Sequence, residues 1–517
     1  MSFRNAFVHG LYFLRVAREL ARHDALFWIG EIGAAPAGLK TLVLSATRFV
    51  RRRTGLPEDR GERLALALRT LGPAFIKLGQ MLATRADLIG PDLARGLAAL
   101  QDRMPPFPAD EARAIIVRDL GAPLEEMFAA FEDEAVAAAS VAQVHRARTP
   151  DGRDVAVKIL RPGIKVRFQR DLAAFAWLAA FAEARIPKAR RLRPVAVVET
   201  IAESVANELD LRLEAAAASE LRQAMAGEPG YRIPVIDWQR TGAHVLTLEW
   251  IDGVALTDRT ALDRLACDRK ALAATIVRVF LLQAMRDGFF HADLHQGNLF
   301  VESDGTLVAL DFGIMGRLDM SSRRYLAEIL HGFLERDYQR VADWHFSAGY
   351  VDGRQDPARF AQAMRAIAEP IFDRPVRRIE ASRLLGQLFQ TTEAFGMETQ
   401  PQLLLLQRSM VMVEGLALHL DAEANMWELS RPVIEAFMRE QLSPDLLLAD
   451  RIRASVMALA DLPDLMVRVT RLVAGLERRL GQDTAPCEPK EDGRMGGGRL
   501  LLVFAIGAAF MALLLLV

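Results

Sequence analysis

Within FFHADLHQGNLF, residues 289–300, Asp293 and Asn298 stand five positions apart. A strand (LFVE), a turn (SDGT) and a second strand (LVAL) follow, and the hairpin ends on Asp311-Phe312-Gly313. Few folds accommodate this loop, hairpin and D-F-G turn in that order. Two chemistries compete for it. His291, Asp293 and His295 alternate as the ligands of a metal-dependent hydrolase would. In the other reading Asn298 and Asp311 hold Mg²⁺ against phosphates, and Asp293 accepts the proton of an attacking hydroxyl or water.

The upstream sequence separates the two. DVAVKIL is a strand that puts Lys158 among apolar neighbours, and a lysine there is costly to bury unless it is paired. A phosphate and a carboxylate would satisfy it. The preceding AVAAASVAQVH carries Ala137, Ala138, Ala139 and Ser140, small residues that let a backbone approach phosphates, although alanine is more restricted than glycine. On its own the run is a helix-prone alanine tract. The helix ETIAESVANELDLRLEAAAASEL offers Glu208, Asp210 and Glu214 as partners for Lys158. Asp210 and Glu214 are expected on one face, and Glu208 on another, paired with Arg212. Glu249, closing the strand HVLTLE, is taken as a further nucleotide-side residue. The hydrolase reading needs more histidines, but His331, His345 and His419 lie in helical stretches without a helper motif. It also leaves Lys158 and Asp311 unexplained.

Composition sets the surroundings. The chain has 517 residues, 51% hydrophobic and 25% charged, with net charge −1, so no global field draws nucleic acid. Two cysteines, Cys267 and Cys487, form neither a disulfide framework nor a zinc motif. The N-terminal stretch reads as an amphipathic helix rather than a signal peptide. At the other end LLLVFAIGAAFMALLLLV, 500–517, carries no polar side chain. As a helix it would be about 27 Å long, enough to cross a hydrocarbon core. Lys490, Arg494 and Arg499 precede it, which predicts a body facing the cytoplasm and a single pass through the inner membrane.

Together these motifs resemble the UbiB-type atypical protein-kinase-like family, linked to ubiquinone biosynthesis. FIKLGQ is similar to its K-x-G-Q signature (Lys77, Gly79, Gln80), AAAS at 137–140 to its alanine-rich loop, and ELD at 208–210 to its E-x-D signature. Glu214 stands where the lysine-pairing glutamate is expected. The resemblance implies an α+β, protein-kinase-like two-lobed fold with an N-terminal helical extension lying over the site. Lys77, Gln80, Glu208 and Asp210 would gate it. Periodicity alone would leave Lys77 and Gln80 in solvent; Gly79, costing about 1 kcal/mol in a helix, suggests close backbone approach.

The expected divisions are 1–60 and 61–127 (helical segment and extension), 128–252 and 253–480 (the two lobes), 481–499 (linker) and 500–517 (transmembrane helix). The expected cofactors are ATP and Mg²⁺. The expected partners are membrane lipids, isoprenoid quinone intermediates and ubiquinone-biosynthetic enzymes, with a homodimer left open. After Gly313 the chain re-enters a helix almost at once, without A-P-E or a long activation segment, so a peptide-docking platform is not expected. An ATPase or kinase supporting ubiquinone biosynthesis is the leading expectation. A nucleotide-binding scaffold without turnover and a lipid or small-molecule kinase are the alternatives.

Overall fold

A break at Gly72-Pro73 shapes the N-terminal region. The computed structural model describes residues 3–27, 50, 53–83, 89–98, 100, 104–185, 194–265, 267–372, 395, 397 and 401–441. The first part of the expected helical extension, 61–127, is divided into α2 (Arg60–Leu71), α3 (Pro73–Ala83) and α4 (Pro91–Ala98), preceded by α1 (Phe3–Arg22). Asp59 caps α2 by accepting from the Glu62 amide at 2.9 Å. Gly72 ends it at φ +120°, a left-handed backbone that favours glycine. Pro73 then opens α3, where a missing N–H costs nothing. Helices α2 and α4 touch at Gly61 and Gly96: a Cβ built on Gly96 would lie 2.3 Å from the Gly61 Cα.

Helix α5 (Ala109–Leu120) leads into the first sheet. Its strands are β1 (Ala130–Ala138), β2 (Ala142–Arg148), β3 (Asp154–Leu160) and, after an insertion, β5 (Val245–Glu249), antiparallel in the order β1-β2-β3-β5. The alanine tract is therefore no helix. Ala137 and Ala138 end β1, and Ala139 and Ser140 lie in the turn to β2, where the Ala139 amide donates to the Ala142 carbonyl at 2.8 Å. Cross-strand pairing overrides helix propensity here.

The insertion contains α6 (Ile164–Arg185), α7 (Pro194–Glu208) and α8 (Leu211–Ala224). The single helix expected for ETIAESVANELDLRLEAAAASEL is broken before Asp210, whose carboxylate caps α8 by accepting from the Arg212 amide at 3.2 Å. Asp210 therefore shares no helical face with Glu214. The extension is fastened to the insertion through aromatic packing. Phe75 of α3 meets Phe175 of α6 edge-on at 5.0 Å, and the Tyr12 hydroxyl donates to buried Asp171 at 2.9 Å.

The second lobe is mostly helical. Its short strands are β4 (Tyr231–Arg232), β6 (Gly253–Ala255), β8 (Leu299–Glu302) and β9 (Leu307–Ala309), in the order β4-β9-β8-β6. A separate ladder joins β7 (Phe289–His291) to β10 (Met315–Arg317). The lobe's helices include α9 (Arg269–Leu281), α10 (Met320–Leu334), α11 (Tyr338–Ser347), α12 (Pro357–Phe372), α13 (Pro401–Leu420) and α14 (Met426–Gln441), with a short helix, Arg259–Arg264, ahead of α9. Among the described residues no helix is long and apolar enough to cross a membrane. The expected linker and membrane helix, 481–517, lie outside them.

Candidate active site

The first sheet supplies the lysine. Lys158 faces Val144 of β2 on one side and Leu246 of β5 on the other, so it sits on an interior strand. Its ammonium donates to Glu214 Oε1 at 2.7 Å and lies 3.3 Å from Asp311 Oδ1. Glu214 is on the first turn of α8 and is buried. Burial would lower the lysine's affinity for its proton, but the two carboxylates outweigh it and hold the pKa above the usual lysine value. Burial pushes Glu214 up against the pull of Lys158. For Asp311, desolvation acts upward and is outweighed by Lys158 and the Gly313 amide, leaving the carboxyl below its ordinary range.

Backbone geometry delivers Asp311. Its φ is +61°, one of three positive values outside glycine among the described residues, a region that aspartate tolerates better than most. The Gly313 amide donates to its carboxylate at 3.3 Å. The β8–β9 hairpin places it beside Asn298, whose carbonyl accepts the Leu310 amide at 2.8 Å. A carboxylate and a side-chain amide oxygen are ligand types that suit a hard divalent cation such as Mg²⁺.

The loop between β7 and β8 is wired internally. Asn298 Nδ2 donates to the Asp293 carbonyl at 3.2 Å. His291 is fully buried, and its Nδ1 accepts the Asp293 amide at 3.1 Å while Nε2 faces the Leu310 carbonyl at 3.4 Å. Both ring nitrogens are thus committed to the backbone, which removes His291 from the hydrolase ligand set. His295 Nδ1 accepts the Gly297 amide at 3.0 Å. Among the described residues no group of three His, Cys, Asp or Glu side chains is placed to hold a metal. A π-helical turn, Leu282–Asp287, supports β7 from below; its Gln283 accepts the His291 amide at 3.1 Å.

The signature residue Lys77 joins the extension to the insertion, against what periodicity alone would give. Lys77 is largely buried and ion-paired with Glu208, rather than solvated. Arg212 takes Asp210, not Glu208, with contacts of 2.9 and 2.6 Å. Gly79 is approached by the side chains of Leu100 and Leu68. The Glu249 carboxylate accepts from Arg232 at 3.0 Å and from the Val235 amide at 3.1 Å. Arg232 also holds Glu302 through two bonds of 2.7 Å, so Glu249 belongs to a clamp between β5, β4 and β8.

One residue of the site went unseen in the sequence. Arg408 of α13 donates to Asp293 Oδ1 at 3.0 Å, and its neighbour Ser409 donates to the Ala292 carbonyl at 3.3 Å. The available signal was a lone basic charge inside LLLLQRSMVMV, a run otherwise nearly all apolar.

Comparison with known proteins agrees with this geometry. Residues 99–345 match the ABC1 atypical kinase-like domain and residues 364–425 the UbiB helical domain. A probable protein kinase UbiB of Pseudomonas aeruginosa (strain LESB58) is 40% identical over 508 residues, which span 97% of this chain and 94% of that one. Another, of Marinobacter nauticus, is 44% identical over 390 residues, 75% and 71% of the two chains. Among solved structures, Rv3197 of Mycobacterium tuberculosis, determined with erythromycin, has a TM-score of 0.51 at 25% identity, covering 71% of this chain and 89% of its own. With its kinase-like fold and these relatives over most of its length, the chain belongs to the UbiB family.

Proposed function

We propose that the protein is a membrane-anchored, ATP- and Mg²⁺-dependent kinase-like enzyme that supports ubiquinone biosynthesis. The contact that carries this reading is Lys158 held between Glu214 at 2.7 Å and Asp311 at 3.3 Å. One ammonium between two carboxylates leaves acidic charge that favours a divalent cation, and the ammonium itself can orient α- and β-phosphates. Asn298 and Asp311 would hold Mg²⁺, which when bound neutralises charge developing on the phosphates. Asp293, steadied by Arg408, accepts the proton of the attacking hydroxyl or water.

The lipid side of the proposal rests on the apolar segment 500–517 and on the family. The anchor keeps the site at a bilayer, where isoprenoid intermediates and their enzymes are met. Lys77 and Glu208, joined between the extension and the insertion, guard access to the cleft, which favours ATP hydrolysis coupled to partners over phosphorylation of proteins in trans. The test is quinone analysis in a strain lacking the protein, complemented with wild type or Asp293→Asn. Accumulation of a prenylated phenol precursor that only wild type clears supports an enzyme. Full rescue by Asp293→Asn would instead make the protein a nucleotide-binding scaffold, and a phosphorylated isoprenoid would make it a lipid kinase.

A further inference from the structure

The alanine turn between β1 and β2 is tied down from outside the first sheet. Arg161, the first residue after β3, donates through Nε to the Ala139 carbonyl at 2.8 Å and through a terminal nitrogen to the Pro105 carbonyl at 2.9 Å. Its own amide donates to the Val141 carbonyl at 2.8 Å, and its guanidinium lies 5.7 Å from the centre of the Phe107 ring. The Met104 amide donates to the Ala138 carbonyl at 3.2 Å. Buried Gln143 brackets Phe107, accepting its amide at 2.8 Å and donating to its carbonyl at 3.2 Å. The carbonyls of Ala138, Ala139 and Val141 are all taken, two of them by one arginine.

A phosphate-covering loop in a nucleotide-binding lobe ordinarily opens and closes as an independent flap. Here the turn is bonded to 104–107, the segment that enters the sheet-bearing lobe from the helical extension. We propose that Arg161 is a positioning residue for nucleotide: it clasps the alanine turn to the extension, so that release of a nucleoside diphosphate requires the two to move together. The inference rests on the nucleotide reading of the cleft. Arginine suits the task because its planar fork reaches two carbonyls at once, and lysine's single ammonium lacks that geometry.

The experiment uses the full chain in detergent with a fluorescent N-methylanthraniloyl-ADP and Mg²⁺. Arg161→Lys and Arg161→Gln are expected to speed nucleotide dissociation on the order of tenfold, with the association rate near wild type. Hydrogen exchange is expected to rise at residues 139–142 and to stay unchanged in α8. Phe107→Ala, which leaves both arginine hydrogen bonds in place, is expected to have a smaller effect. Wild-type dissociation in Arg161→Lys would overturn the clasp, as would accelerated exchange throughout α8, the mark of general loosening. Absence of binding by the wild type would overturn the nucleotide reading itself, and the clasp with it.

Discussion

Arg408 and Asp293 are 115 residues apart in the chain, yet the guanidinium meets the carboxylate at 3.0 Å. Helix α13 thereby reaches the loop that lines the cleft, and Ser409 adds a second tie one residue on. The ion pair holds one Asp293 oxygen, while the other lies 3.9 Å from His295 Nε2.

Removing that tie should affect turnover more than binding. Arg408→Gln is expected to lower the rate of ATP hydrolysis by ~10²-fold, the scale of a misplaced reacting group, while the KM for ATP moves little. Phosphate release at saturating and limiting ATP measures both. Arg408→Lys should recover part of the rate.

The extension should tolerate added bulk unequally. A Cβ at Gly96 would meet the backbone of Gly61 at 2.3 and 2.5 Å, so α2 and α4 must part. At Gly79 the obstacles are the ends of the Leu100 and Leu68 side chains, which can rotate. Gly96→Ala should cost stability by roughly 1–3 kcal/mol, as overpacking does, and Gly79→Ala clearly less. Urea midpoints of the two variants test the order.

Acid should weaken the first lobe through His145. Its ring is buried, with Nδ1 2.8 Å from the Glu132 carbonyl and Nε2 2.8 Å from Gln143 Nε2. An amide donor at Nε2 and a carbonyl at Nδ1 fix the neutral tautomer. Burial lowers the pKa, against the smaller upward pulls of the Glu132 carbonyl and Asp133. A depressed histidine means the unfolded chain binds the extra proton first. Its contribution is full above the ordinary histidine value and is lost as pH falls towards the depressed one, by at most about 1.4 kcal/mol per pH unit. Urea unfolding between pH 7.5 and 5 should show this decline, with a shallower slope in His145→Gln.

The residues of the cleft were more legible than the architecture that brings them together. Lys158, Asp293, Asn298 and Asp311 stand in short motifs whose spacing is local, so sequence exposes them. The partners of the extension are not local. Lys77 reaches Glu208 across 131 positions, and periodicity has no access to such a contact. The break before Asp210 was hidden because ELDLRLE continues a helical pattern, and only the cap shows that the aspartate stands outside α8. The alanine tract is helix-prone by propensity alone, but β1 gains a ladder with β2, and a turn stands where the alanine-rich loop was expected. Gly61 and Gly96 look like ordinary helix glycines until their helices cross.

The most direct test of the account is thermal unfolding with and without Mg²⁺-ATP, in wild type and Asp311→Asn. Nucleotide at a hundred times its Kd should stabilise the wild type by ~2.7 kcal/mol, seen as a higher Tm that depends on Mg²⁺. Asp311→Asn should fold, since the Lys158–Glu214 pair at 2.7 Å remains, and should show no Mg²⁺-ATP shift. An equal shift in both proteins would contradict the assignment of Asp311 and, with it, the reading of the cleft.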